Sequence, residues 1–121
     1  MRADITALVK LPGADQSHVE PRKVRDYLLS PTHPFGRYKA VFFGALGYLR
    51  ERWPLLLASL VQHAAEGTAR RGELTTFGQK YEVRGRITGP SGRAVNIVSV
   101  WIVRAGEETP RFVTAFPANK P

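Results

Sequence analysis

Apolar residues recur every three or four positions up to about residue 66 and every second position beyond about residue 72, so the chain reads as helices followed by strands. Val24, Tyr27 and Leu28 fall at i, i+3 and i+4 behind Pro21, a residue suited to a first helical position, and this predicts helix one. It should stop at Ser30, because the residue before Pro31 is pushed out of the helical region. In "FGRYKAVFFGALGYL", Tyr38, Phe42 and Ala45 form a stripe that Val41 and Leu46 widen, predicting a largely buried helix two that Gly47 ends. "ERWPLLLASLVQHAAEG" predicts helix three, with Pro54 tolerated in its first turn, Gly67 at its end, and Leu56, Leu60 and His63 or Ala64 on one face. Upstream, "TALVKLP" (Thr6 to Pro12) has the alternation of an edge strand or extended arm.

From Gly72 the period is two. "QKYEVRGRI" sets Tyr81, Val83 and Ile87 against Lys80, Glu82, Arg84 and Arg86, the pattern of a strand with one covered and one wet, basic face. "TGPSGR" is a hairpin connection, "AVNIVSVWIV" a long strand rich in β-branched residues, and "FVTAFP" the last strand, with a shorter one at "GELTTFG" before them. The expected fold class is α+β: N-terminal helices, residues 20 to 66, packed on one face of a C-terminal antiparallel meander, residues 72 to 117, in a single domain spanning 1–121. Phe42, Phe43, Leu56, Leu60, Val83, Ile97 and Trp101 are expected in the core.

Charge narrows the function. Eighteen Lys and Arg stand against ten Asp and Glu, a net +8 in 121 residues, and such a field attracts RNA or an acidic protein. The arginines alternate with apolar residues through the second half, so they decorate a folded surface rather than a disordered tail. Cysteine is absent, which excludes disulfides and thiolate metal sites, and the three histidines lack zinc spacing, so no metal or other cofactor is expected. No stretch approaches the roughly eighteen apolar residues of a membrane span, and the first ten residues do not read as a secretory signal. A cytoplasmic location without membrane contact is expected.

The stretches "KVRDYLLSPTHPFGRYKAVFFGALGY", "GQKYEVRGRITGPSGRAVNIVSVWIV" and "PRFVTAFP" resemble a small bacterial family known chiefly as a domain of unknown function. Its pattern runs YLLS, HP, G, KA, FF and G, then GxxYxVxGxxxGPxGR, W and a closing TxxP, and the resemblance extends from about Val24 to Pro117. The chain departs from it at Arg37-Tyr38 before Lys39, and at Phe116, where tyrosine is common. Such domains occur free-standing beside genes for short partners and at the C-terminal ends of polymorphic toxins. The setting is similar to that of the nuclease superfamily of barnase, EndoU, the tRNA-cleaving colicins and RelE. By analogy the resemblance implies RNA as substrate and a small antitoxin or immunity-like protein as partner.

Metal-independent RNA cleavage needs the 2'-hydroxyl deprotonated, the leaving 5'-oxygen protonated and cations around the phosphate. His33, in the Pro-rich turn ahead of helix two, suits proton transfer or is simply a turn residue. Lys39 supplies a cation, or a stem lying over the core. Arg84 supplies charge from the sheet, and Thr114, on a face read as shared with Phe112 and Phe116, supplies a hydroxyl near the phosphate where β propensity is the plainer explanation. Arg37, Lys80 and Arg86 are candidate backbone contacts, though each taken singly reads first as solvated surface. Tyr81 and Trp101 can stack bases or fill the core. Glu82 neutralises an arginine or acts as a general base, and His18 and His63 receive no role. Three functions remain open: a toxin-type endoribonuclease, a non-catalytic RNA- or ribosome-binding module, and an adaptor for an acidic protein.

Overall fold

The computed structural model describes residues 10–118. Most of the extended arm expected at Thr6 to Pro12 therefore lies outside the described residues, and Lys10 to Pro12 are not in a strand. The chain enters through a 3-10 turn at Ala14–Gln16 and a short helix α1 at Pro21–Lys23, which widens into a π-turn at Val24–Leu28. Helix α2 (Arg37–Ala45), a second 3-10 turn (Arg50–Arg52) and helix α3 (Trp53–Glu66) follow. Strands β1 (Thr68–Thr75), β2 (Gly78–Thr88), β3 (Ala94–Arg104) and β4 (Pro110–Pro117) form one antiparallel meander in the order β1-β2-β3-β4. This is the α+β architecture that the two periodicities predict. Among the described residues no helix is long and apolar enough to cross a bilayer.

The core lies between α3 and one sheet face. Leu56, Leu60 and Ala64, spaced four residues apart on α3, are buried with Val83 and Ile87 of β2 and Ile97 and Trp101 of β3. His63, which the sequence left without a role, is buried among them. Its Nδ1 lies 2.8 Å from Ser99 Oγ and its Nε2 3.1 Å from the Gly85 carbonyl, while Trp101 Nε1 donates to the same Ser99 Oγ at 2.8 Å. Two polar side chains and an indole thus satisfy one another inside an apolar layer.

Helix α2 departs from expectation. Phe43 is buried, but Phe42 is only half-buried, and Tyr38 and Val41 are 67% and 75% exposed. The helix packs on the π-turn and the edge of β4 rather than over the sheet, so only one side of it meets the core. It ends in a Schellman motif: Tyr48 N–H bonds to the Phe43 carbonyl and Gly47 N–H to that of Gly44, with Gly47 at φ +97°. Strand β1 also differs. It begins at Thr68, directly after α3, and all but Ala69 and Thr75 of its eight residues are exposed.

Candidate functional site at the β4 edge

The wider turn at Val24–Leu28 closes with a bond from Leu29 N–H to the Val24 carbonyl, five residues back. It buries Val24, Leu28 and Leu29 and leaves Tyr27 half-buried against β4. The Tyr27 hydroxyl is 2.9 Å from Thr114 Oγ1. The His33 ring meets the Tyr27 ring edge-on, with centroids 5.0 Å apart. Gly36 closes the corner from below: a methyl group there would run into the Tyr27 carbonyl oxygen. His33 Nδ1 accepts from the backbone N–H groups of Phe35 and Gly36, each at 3.0 Å. That fixes the neutral tautomer, because the ring hydrogen must then sit on Nε2.

Tyr27, His33 and Thr114 line one cleft of about 650 Å³ together with Glu20, Arg22, Lys23, Asp26 and Val113. Asp26 is held by Arg25 and Arg50, at 2.9 and 2.8 Å, and the hydrogen bond from Arg25 keeps its carboxyl below the usual carboxylate range. Lys23 donates to the Val113 carbonyl at 3.2 Å and Lys39 to the Ala115 carbonyl at 3.2 Å, so two ammonium groups cap outward-facing carbonyls of an edge strand. Lys39 Nζ also stands 5.5 Å from the centre of the Phe116 ring.

A bulge in β4 alters one expected grouping. Trp101 pairs with Phe112 and Val100 with Thr114, so Val113 is an extra residue between them. Phe112 therefore turns to the core, its ring 5.3 Å from Trp101, while Thr114 and Phe116 point to the opposite face; the three do not share a face. On that face the registers give cross-strand rows: Arg70, Glu82, Val100 and Thr114 in one, and Arg84, Val98 and Phe116 in the next. Arg84 is thus two strands, roughly 10 Å of backbone, from Phe116. Lys80 and Arg86 extend the basic line along β2, paired with Ile102 and Asn96. On this side Arg84 and Arg86 are exposed, whereas Val98, between Arg84 and Phe116, is buried.

The structure thus joins His33 and Thr114 through Tyr27, which sequence reasoning had assigned to a helix face. Lys39 meets the same strand one residue beyond Thr114, and Arg84 lies two strands away on the face that carries Thr114. Three of the candidates stand apart. Tyr81 is on the helix-facing side, paired with Trp101 and packed against the core, so it cannot stack a base held along Lys80, Arg84 and Arg86. Arg37 stacks on Tyr38 at 4.5 Å and donates to the Tyr38 hydroxyl and the Pro34 carbonyl, on the outward side of α2. Trp101 is fully buried.

Fold and site together define a basic α+β protein with a polar cleft at one sheet edge. The chain belongs to the family described as a domain of unknown function, DUF6883, whose pattern it matches over residues 10–119. Among solved structures it is similar to a chain of a contact-dependent growth inhibition toxin–immunity protein complex from Klebsiella pneumoniae 342. The TM-score is 0.64 at 19% identity, over 89% of this chain and 98% of that one. At that identity the likeness establishes a shared fold. A search of curated proteins finds no match.

Proposed function

We propose that the chain is a toxin-type endoribonuclease that cleaves RNA by attack of a 2'-hydroxyl without a metal, at the corner formed by Tyr27, His33 and Thr114. The observation that carries this reading is the Tyr27–Thr114 hydrogen bond with His33 against the same phenol, lining a cleft beside a basic sheet face. The shared fold with a chain of a toxin–immunity complex supports a toxin- or immunity-related setting. In cleavage the 2'-oxygen bonds to phosphorus as the P–O5' bond breaks, so one proton must leave the first oxygen and one must reach the second. Glu20, which lines the cleft, takes the first in this scheme, and the Tyr27 phenol, oriented by Thr114, gives the second. His33, with its hydrogen on Nε2, donates to a phosphoryl oxygen as charge builds there. Lys39 and Arg84 supply positive field, and Lys80 and Arg86 hold the backbone of the strand. A small immunity-like protein is the expected inhibitor.

The test is a single-turnover assay on end-labelled RNA in EDTA. Products ending in 2',3'-cyclic phosphate, with His33→Ala slower by about 10²–10³-fold, are expected, the usual effect of removing one donor to a developing oxyanion. RNA bound at low salt but left intact would instead favour the non-catalytic binding module.

A further inference from the structure

Two side chains of α2 that the sequence predicts to be buried, Tyr38 and Val41, remain outside. Phe35, in the turn before α2, and Tyr38 and Val41 on the helix are spaced three residues apart and are 74%, 67% and 75% exposed. Contiguous apolar surface of this kind marks a docking site. The stripe is also pre-formed: the Arg37 guanidinium lies on the Tyr38 ring and is tied to the Pro34 carbonyl, which fixes Tyr38 before any partner arrives.

Charge selects among occupants. From Tyr27 to Arg50 the sequence holds Arg37, Lys39 and Arg50 and no Asp or Glu; Arg50 is bonded to Asp26 and Lys39 to the Ala115 carbonyl, so Arg37 is the cation that stands on the stripe itself. A second copy, itself carrying +8, would bring like charge to like charge. We infer that the outer side of α2 is a recognition surface for an acidic protein partner that presents an amphipathic helix. Its apolar residues cover Phe35, Tyr38 and Val41, and its carboxylates meet Arg37 within the field of the +8 net charge. The surface rests on the exposure and charge of α2 and stands whether or not the cleft cleaves RNA.

The probe is a fluorescent peptide with leucines at helical spacing and glutamates elsewhere, and the control is a peptide of the same composition in scrambled order. By anisotropy the patterned peptide should bind at least tenfold tighter than the control. Val41→Asp should weaken it by a further tenfold or more while circular dichroism and thermal unfolding stay unchanged. Equal binding of the two peptides, no binding, or indifference to Val41→Asp overturns the inference. So does a concentration-dependent dimer in sedimentation that Val41→Asp abolishes, which makes the occupant a second copy. Tighter, Val41-dependent binding to phosphatidylglycerol vesicles overturns it in favour of a membrane surface.

Discussion

Tyr27 is the residue on which the candidate site depends, and two small changes isolate it. Tyr27→Phe removes the hydroxyl that meets Thr114 and keeps the ring that His33 packs against. It should cost about 1 kcal/mol of stability by urea unfolding. RNA cleavage should fall by about 10²-fold or more, because a positioned acid is lost. Gly36→Ala approaches the same residue from outside the cleft. The added methyl meets the Tyr27 carbonyl, so a loss of about 1–3 kcal/mol is expected, with cleavage falling alongside. Gly36→Ala at wild-type stability and rate would mean that the turn does not fix Tyr27. The sequence showed His33 and Thr114 as candidates because their chemistry is visible in their names. Tyr27 was hidden, since its spacing to Val24 suits a helix face, and only the π-turn and the register of β4 reveal what its hydroxyl meets.

At the scale of elements, α3 and strands β2, β3 and β4 were legible because alternation and helical spacing each had one buried side to report. Helix α2 and β1 were legible as elements, but the side that α2 buries and the start of β1 at Thr68 were not. The apolar residues of α2 face outward as well as inward, and β1 is an exposed edge strand in which Ala69 alone is buried, so neither carries a period that tells inside from outside. The position of α2 can be checked by a pair of substitutions. Phe43→Ala should cost about 3–5 kcal/mol, whereas Val41→Ala should stay within about 0.5 kcal/mol. Comparable losses at both would place α2 over the sheet after all. The α3–sheet contact has its own signature in His63. Burial holds its pKa below the ordinary histidine value, more than the hydrogen bond to Gly85 raises it. With the folded-state value lowered, the unfolded chain takes up the proton first. The stability from neutral His63 is therefore present above about pH 6.5 and is lost as pH falls below it. Thermal unfolding between pH 7.5 and 5 should show this fall, and His63→Gln should flatten it while lowering stability by about 1–3 kcal/mol at pH 7.5.

For the whole molecule, the net charge, the order of elements and the basic row on β2 belong to the proposed account, in which RNA lies across the strands with its phosphate at the β4 edge. Each cation removed from that row should weaken RNA binding at every sequence alike. Arg84→Ala should lower the slope of log affinity against log salt by roughly 0.7 for single strands, and Tyr81→Phe, on the other side of the sheet, should leave it unchanged. The most direct measurement is the cleavage of a defined RNA by the purified chain in EDTA, compared with Tyr27→Phe, His33→Ala and the double variant. The account predicts 2',3'-cyclic phosphate ends, large losses in both single variants, and a double loss well short of their product because the two groups act as a unit. Wild-type cleavage by both single variants, or cleavage that EDTA abolishes, would contradict it.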